Sequence, residues 1–467
     1  MRKNTTAAIT WCLLCLISLA GKSLTKKAHR QYMSMLFFLI VGSPHLLAQL
    51  PQPALVGYFQ NWSSVNTPYV QLSQVDPRYN VIDVAFALPM NGTDYRMQFV
   101  PDQVSQQTFI SQMQGLQNAG KKVLISIGGA TAPITLSNNV ERDSFIASMG
   151  RILDVYNFDG IDLDFEGSSM SVSGGTIANP VDQPIIRMIY AVQMIMDNYR
   201  QSHNKKLLLT LAPETAFIQG GQSSYGGIWG AYLPLVDALR DSIDLLHVQL
   251  YNSGSMYGIN GAVYNQGTAD FIVAMTDAVI QGFNTNGGFF AGFPQEKVAV
   301  GLPACSQAAG SGYTDTATVA AAMRYLLGQG PQPGSYTITN GNAYPNLGGM
   351  MTWSINWDSQ SACGGAYSYA DNFEQVYNNL STAVQESPIA ELNEPLLFPN
   401  PSRGTFTLRL PRFMTGSAYF RLMDSSGRLL MESRLLGNDE MQITAEGIRP
   451  GTYVWYVDEF SGRMVIE

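Results

Sequence analysis

Three acidic residues alternate along one short stretch of the chain. Asp162, Asp164 and Glu166 occupy every second position of residues 159–166, which read DGIDLDFE. In a β-strand, alternate side chains share one face, so the three carboxyl groups would lie about 6 to 7 Å apart on the same side. Like charges at this spacing repel one another, and burying an unpaired charge is costly. The apolar neighbours disfavour a solvated acidic edge strand, so the pattern predicts a chemical role.

The same segment resembles the DGxDxDxE motif of glycoside hydrolase family 18, the chitinases and their relatives. That resemblance implies that the segment is the fourth strand of a (β/α)8 barrel. It further implies that Glu166 is the general acid and that Asp164 orients the acetamido group of the substrate and helps to charge Glu166. Asp162 would be the deeper partner of Asp164.

Three further motifs resemble this family at the ends of predicted strands. Residues 126–129, SIGG, resemble an SxGG motif, whose glycines allow close backbone approach. In residues 247–252, HVQLYN, the resemblance implies that Tyr251 contacts the acetamido group, and residues 348–353, GGMMTW, match a GxMxW pattern whose Trp353 forms the floor of the −1 sugar site. The substrate-binding residues implied in this way are Trp353, Gln249, Asn252, Tyr58, Ser126, Gly128 and Gly129.

Ordinary structural roles remain open for several of these positions. The glycines could form a plain turn after a strand, and Tyr251 and Trp353 could be core residues. Asn252 stands where many relatives have Asp, which leaves open whether a second acid tunes the site. The remaining tryptophans that could line further subsites, or simply pack, are Trp62, Trp229 and Trp357.

Apolar, strand-like runs alternate with helical segments along most of the chain. Because parallel strands need crossover connections, eight such units predict a closed (β/α)8 TIM barrel, with functional residues at the C-terminal strand ends. The predicted helices include residues 107–119, 143–156 and 184–200. Between residues 303 and 348 there is no room for an additional α+β insertion, so we expect a shallow, open cleft. The eight predicted strands are residues 55–59, 81–87, 122–128, 160–166, 206–213, 243–251, 297–303 and 348–353.

Charge and residue counts disfavour several classes of function. The net charge is −8 and no Lys/Arg cluster lies beyond the N-terminal leader, which disfavours a nucleic-acid partner. The chain has four His, too few for a zinc cluster; we expect His203 in a surface loop and His247 in the core with its ring nitrogens satisfied. A metal site built from the three acidic residues would need further ligands. We therefore expect no metal, and the resemblance to family 18 implies no organic cofactor.

The N-terminus reads as an export leader. Residues 1–48 contain two apolar runs, and the second follows a basic stretch and ends before a cleavage site that we place after Ala48. The first run could instead be the signal peptide, or it could result from a start codon assigned too far upstream. Neither reaches the roughly 20 apolar residues that span a bilayer, so we expect a secreted protein without a stable membrane span. Cys305 and Cys363 could then form a disulfide or remain two unpaired thiols.

The last seventy residues differ in composition from the rest. The resemblance to family 18 implies a catalytic domain over residues 52–385, followed by a polar, Pro-interrupted linker at 386–395. Residues 396–467 show short strands punctuated by turns, which predicts a small β-sandwich. They resemble the C-terminal sorting domain of type IX secretion cargo, which would make the type IX machinery a partner and the cell surface a possible destination. A fibronectin-like or carbohydrate-binding module is the alternative.

Together these patterns predict a secreted, endo-acting chitinase. The resemblance implies hydrolysis of β-1,4 bonds between N-acetylglucosamine units with retention, by a mechanism in which the substrate assists. Two alternatives remain open: an endo-β-N-acetylglucosaminidase that cuts the chitobiose core of N-glycans, and a chitin-binding lectin. The presence of Glu166 disfavours the lectin, because such lectins typically lose the acid.

Overall fold

The chain divides into two compact units, residues 1–377 and 378–467, which are described separately. The computed structural model describes residues 49–90, 95–377, 395–398, 402, 404–409, 417–424, 427–436, 440–445, 447–458 and 460–466. The predicted leader at 1–48 and the predicted linker, apart from its last residue, lie outside these described residues. The predicted domain boundary at residue 385 lies outside them too.

The first unit is the predicted barrel. Its parallel strands follow the order β7-β8-β1-β2-β3-β4-β5-β6. The two ends of this order, β6 and β7, are joined by single bridges from Leu246 to Val298 and from Gln249 to Gly301, which nearly close the barrel. The (β/α)8 fold class is therefore confirmed. The eight strands are β1 Ala54–Gln60, β2 Val81–Pro89, β3 Lys122–Gly128, β4 Gly160–Asp164, β5 Leu208–Leu211, β6 Leu245–Leu246, β7 Ala299–Pro303 and β8 Gly349–Trp353.

Strands β4 to β8 are all shorter than predicted, and the departures of β4 and β6 bear on the site. The fourth ends at Asp164 because the chain leaves the sheet and enters a short helical turn at Gly167–Ser169, so Glu166 projects from a loop. The sixth pairs continuously only at Leu245–Leu246 and then touches its neighbours through isolated bridges at Gln249. Both departures occur at the C-terminal end of the barrel, where the polar side chains cluster.

Helices cover the outside of the barrel. Helix α3 shows why: Ile185, Met188, Val192 and Tyr199 lie three, four or seven residues apart and are buried on one face. Helix α2 begins four residues before the predicted start because the Asn138 side chain accepts hydrogen bonds from the first-turn backbone. The helices are α1 Gln106–Asn118, α2 Asn139–Tyr156, α3 Gln183–His203, α4 Leu233–Ala238, α5 Ala269–Gln281, α6 Thr316–Leu326, α7 Ile355–Asp358 and α8 Ser368–Tyr377.

Strand register places the motif residues side by side. Ser126 on β3 pairs with Asp162 on β4, and Gly128 pairs with Asp164. A Cβ at Gly128 would lie 2.5 Å from the Asp164 carbonyl oxygen, and the φ of +110° also suits glycine alone. This glycine therefore lets β3 approach the acidic strand closely.

The second unit consists of antiparallel strands with their own apolar core. One sheet has the order β9-β10-β13 and the other β12-β11-β14-β15. Phe406, Phe420, Leu422 and Trp455 are among the buried residues that form the core. No helix among the described residues is both long and apolar enough to cross a membrane. The strands are β9 Leu396–Phe398, β10 Thr405–Arg409, β11 Ser417–Met423, β12 Leu429–Leu436, β13 Glu440–Thr444, β14 Gly451–Val457 and β15 Phe460–Ile466.

Candidate active site

The three acidic residues lie at increasing distance from the barrel interior. Asp162 and Asp164 belong to β4 and are 0% and 2% exposed, whereas Glu166 follows the strand and is half-buried. Their order along the strand therefore becomes an order of depth, from the closed core to the mouth of the barrel. Groups at different depths experience different solvation, and their pKa values separate accordingly.

Asp162 is the deepest carboxyl group and is held by three hydroxyl groups. Its Oδ2 accepts hydrogen bonds from Tyr58 Oη at 2.6 Å and from Ser126 Oγ at 2.7 Å. Its Oδ1 accepts one from Thr210 Oγ1 at 2.8 Å. Burial alone would raise its pKa, but the neighbouring His247 and then the hydroxyl groups of Tyr58 and Ser126 hold the pKa below its usual range. Asp162 is therefore an anion in the barrel core.

Asp164 and Glu166 share one amide group. Gln249 Nε2 donates to Asp164 Oδ1 at 2.7 Å, to Glu166 Oε1 at 3.1 Å and to the carbonyl oxygen of Ala212 at 3.0 Å. Burial, then the charge of Glu166 and that of Asp162, raise the pKa of Asp164 well above its usual range. Burial also raises the pKa of Glu166, against the hydrogen bonds from Gln249 and Asp164 that lower it. The pair can therefore hold and exchange a proton close to the surface.

Two more ionisable groups, Glu214 and Tyr251, interact electrostatically with Asp164 and Glu166. Glu214 follows β5, and its Oε1 accepts a hydrogen bond from the Gly167 backbone N–H at 3.4 Å. Burial and the charge of Glu166 raise the pKa of Glu214. Burial and the charge of Asp164 raise the pKa of Tyr251 well above its usual range, so its hydroxyl stays protonated and can donate to a ligand.

Aromatic rings form the floor beside the carboxyl groups. Trp353, at the end of β8, stacks on Phe86 with ring centroids 5.9 Å apart and planes 12° apart. Its ring also lies 6.2 Å from that of Trp62 and 5.5 Å from that of Tyr58. Flat apolar faces of this kind complement the apolar face of a pyranose ring. Phe86 was not identified from the sequence, because a Phe within an apolar strand carries no local functional signal.

A cleft of about 680 Å³ opens above these residues. It is lined by six of the predicted site residues: Asp164, Glu166, Gln249, Tyr251, Asn252 and Trp353. The other five lie beneath or behind it: Asp162, Tyr58, Ser126, Gly128 and Gly129. Of the three further tryptophans, Trp62 lines the cleft, whereas Trp357 is buried and Trp229 lies outside the lining.

Sequence comparison decides the family. A family model described as glycosyl hydrolases family 18 matches residues 54–391, which is most of the chain. The chain belongs to glycosyl hydrolase family 18. It is 42% identical over 310 residues to chitinase Chi52 of Paenibacillus xylanexedens and 40% identical over 341 residues to chitinase D of Niallia circulans. These matches cover 65% and 72% of this chain but only 58% and 63% of the two relatives.

Solved structures of family 18 proteins resemble the barrel. A family 18 chitinase from Chromobacterium violaceum is 34% identical, with a TM-score of 0.62, and the match covers 72% of this chain and 91% of that one. A putative chitinase A from Streptomyces coelicolor is 28% identical, with a TM-score of 0.56, and the match covers 70% and 98%. These matches cover about the same share of the chain as residues 54–391, which the family model matches.

One rim of the family 18 cleft is formed by the segment after β7. Gln307 and Gly310 line the cleft, and Asn252 Oδ1 accepts a hydrogen bond from the Ser311 backbone N–H at 3.0 Å. Cys305, at the start of this segment, forms a disulfide with Cys363, with Cα atoms 4.9 Å apart. The disulfide joins the loops that follow the neighbouring strands β7 and β8.

His247 differs from the sequence-based expectation. It is fully buried, as expected, but neither ring nitrogen has a hydrogen-bond partner among the described residues. The same holds for both carboxyl oxygens of Asp83, a residue that the sequence did not single out. His203, expected in a surface loop, instead ends helix α3 and stacks on Tyr199. Asp83, Asp162 and His247 bring one possible ligand atom each within 4.8 Å of one another.

Proposed function

We propose that this protein is a secreted, endo-acting chitinase that hydrolyses β-1,4 bonds between N-acetylglucosamine units with retention of configuration. The observation that carries the proposal is the pairing of Glu166 with the buried Asp164, at the mouth of a cleft whose floor is Trp353. The raised pKa of Glu166 suits a general acid. The chitinase names of the relatives give independent support.

Glu166 starts the reaction by donating its proton to the glycosidic oxygen as the bond to the anomeric carbon breaks. The oxygen of the substrate's own acetamido group forms a new bond to that carbon and gives an oxazolinium ion. Asp164 and the Tyr251 hydroxyl hold and polarise the acetamide. The Glu166 carboxylate then takes a proton from the water that attacks the anomeric carbon and opens the ring, which restores the acid.

The placement of Asp164 supports this route over direct attack by an enzyme carboxylate. A nucleophilic carboxylate in a retaining glycosidase stands about 5 Å from the acid, with free access to the anomeric carbon. Asp164 instead is 2% exposed and bound to the same amide as Glu166. Orienting the acetamido group is a role that it can fill from this depth.

The endo mode of action is supported by the short connection between β7 and β8. Residues 304–348 contain one helix, α6, and no strand. No additional domain therefore rises from this connection to enclose a chain end. Time-resolved product analysis on polymeric chitin tests the mode: an endo enzyme releases mixed oligomers early, whereas release of a single short product from the outset would contradict it.

Secretion rests on the leader-like N-terminus and on the separate C-terminal unit. The latter has its own apolar core, as a sorting domain appended to a folded cargo would need. We propose that residues 396–467 direct export through type IX machinery.

A direct assay distinguishes the proposed chitinase activity from an endo-β-N-acetylglucosaminidase activity on N-glycan cores. Purified protein is incubated with N-acetylglucosamine oligomers and, separately, with an N-glycosylated protein. We expect shortening of the oligomers and an unchanged glycoprotein. Release of glycans with intact oligomers would overturn the proposal. The chitinase names of the relatives do not favour that outcome.

A further inference from the structure

A buried cluster beneath the cleft has no part in the steps described above. Asp83 from β2 and His247, directly after β6, are fully buried beside Asp162. His247 Nε2 lies 3.3 Å from Asp162 Oδ1 and 3.6 Å from Asp83 Oδ2. Polar atoms without hydrogen-bond partners are rare in cores because each costs about 1 to 3 kcal/mol. The four such atoms of Asp83 and His247 therefore need an explanation.

We propose that His247, backed by Asp83, is a positioning residue that keeps Asp162 ionised throughout turnover, as an imidazolium whose Nε2–H faces both carboxyl groups. The inference rests on the proposed function. The three hydroxyl donors around Asp162 suit an anion, and a buried anion needs a counter-charge. Within the described residues, the groups whose pKa the charge of Asp162 raises are Tyr58, Asp83, Asp164, Tyr232 and Tyr251, and none of these is a Lys or Arg.

Asp83 completes the charge balance. Burial and the charge of Asp162 raise the pKa of Asp83 well above its usual range, so Asp83 keeps its proton. A neutral Asp83, an anionic Asp162 and a cationic His247 together carry no net charge, which is the arrangement that a closed apolar environment favours.

A permanently ionised Asp162 confines proton exchange to the outer pair. Its negative charge contributes to the raised pKa of Asp164, so Asp164 starts the cycle protonated and can interact with Glu166 and the acetamide. Without the counter-charge, Asp162 would take up a proton at higher pH and compete with Asp164 for it. His247 thus acts on catalysis through Asp162 and touches neither substrate nor reacting atoms.

The pH dependence of kcat/KM on chito-oligosaccharides tests the role of charge. His247→Gln keeps a donor but cannot become a cation, whereas the matched control Thr210→Val removes a neutral donor to the same oxygen, Asp162 Oδ1. We expect the acid limb to move up by about 1 to 3 pH units in His247→Gln and by less than half as much in the control. Asp83→Asn should retain a profile close to that of the wild type, because the group it replaces is already neutral.

An unchanged acid limb in folded His247→Gln, or an equal shift in Thr210→Val, would overturn the proposal. The wild-type protein provides a second test, which does not depend on activity or on a folded His247 variant. Nitrogen NMR of the histidine-labelled full chain reports how many ring nitrogens carry a proton, and His29→Asn, His45→Asn and His203→Asn in one chain assign the signal that remains to His247. Protons on both His247 nitrogens between about pH 5 and 8 support the proposal.

A singly protonated His247 ring in that range would overturn the proposal, as would one tightly bound metal ion per chain in the purified protein. The metal outcome matters because the three side chains are close enough to share an ion. Failure of the wild type to hydrolyse oligomers would instead count against the proposed function, and the NMR result would still decide the charge of His247.

Discussion

At the scale of single residues, depth separates the tasks of three chemically similar groups. Asp162 is enclosed by hydroxyl donors and stays charged, whereas Asp164 and Glu166 lie farther out and have raised pKa values. Differences in burial thus make Asp162 a permanent anion and leave Asp164 and Glu166 as a pair that can pass a proton.

Replacing Glu166 by Gln should abolish turnover and leave oligosaccharide binding nearly intact. Gln keeps the shape of the side chain but has no transferable proton. We expect Asp164→Asn to be similarly severe and Asp162→Asn to be milder, because Asp162 lies outside the cleft lining. Steady-state kinetics and calorimetric titration with a chitin oligomer measure both properties. Residual activity above a few per cent in Glu166→Gln would refute the assignment of the acid.

Replacing Glu214 by Gln should move the basic limb of the pH profile to lower pH. A negative charge on Glu214 disfavours ionisation of Glu166, so its removal lowers the pKa of Glu166, and the acid loses its proton at a lower pH. We expect a shift of about half a unit, read from kcat/KM. Glu296→Gln is the matched control, since it removes one charge next to the N-terminal end of β7, away from the cleft. A shift to higher pH would contradict this coupling.

At the scale of elements, the connections after β7 and β8 hold the aromatic floor and one rim. Helix α7 follows Trp353 directly, and its last residue, Asp358, accepts hydrogen bonds from Tyr79 Oη and from the backbone of Tyr369 and Ala370. Burial nevertheless raises the pKa of Asp358 to about 6. We therefore expect the stability of the segment that positions Trp353 to depend on pH.

Wild-type protein should lose stability relative to Asp358→Asn as the pH rises from 4 to 7. Because the folded-state pKa lies above that of the unfolded chain, the folded state binds the proton more tightly, and this advantage disappears as the pH rises through about 6. About two pKa units correspond to about 3 kcal/mol at most. Melting temperatures across this range measure the effect, with the exposed Asp143→Asn as control. A constant difference between wild type and Asp358→Asn would argue against the raised pKa.

The disulfide should be detectable in protein purified from an oxidising compartment. Alkylation without reductant should leave Cys305 and Cys363 unmodified, and mass spectrometry should show both modified after reduction. Because the bridge closes a segment of 58 residues, its loss should destabilise the barrel by about 4 kcal/mol on the chain-entropy account. Modification of both thiols without reductant would show that they are unpaired.

At the scale of the whole molecule, the barrel and the C-terminal unit each have their own core. The sequence predicted this division, because eight strand–helix units and a later series of short strands have different periodicities. A chemical role for the three alternating acidic residues could also be predicted, because their pattern is local. Asp83, Phe86 and His247 could not be assigned a role in the same way, because their relation to the site depends on closure of the barrel.

Deletion of residues 396–467 should leave hydrolysis and binding of insoluble chitin unchanged. Among the described residues, the main core of the barrel is formed by residues 55 to 377 and that of the second unit by residues 397 to 466, so we expect the barrel to fold by itself. In a host with type IX machinery, we expect the truncated enzyme to accumulate, active, in the periplasm. Cell fractionation combined with a chitin-binding assay measures both effects. Normal export of the truncated chain, or a large loss of chitin binding, would instead identify a carbohydrate-binding module.

The amide of Gln249 has one further consequence. Its NH₂ group carries two hydrogens but faces three acceptors, on Asp164, Glu166 and Ala212. At any moment the two hydrogens must be divided among three competing oxygens. Whichever carboxyl group is negative attracts the N–H groups of Gln249 more strongly. A small tilt of the amide can therefore strengthen the hydrogen bond to that group without breaking all three hydrogen bonds. Because both hydrogens of this amide find an acceptor in every arrangement, Gln249 can serve both charge states of its neighbours at little energetic cost.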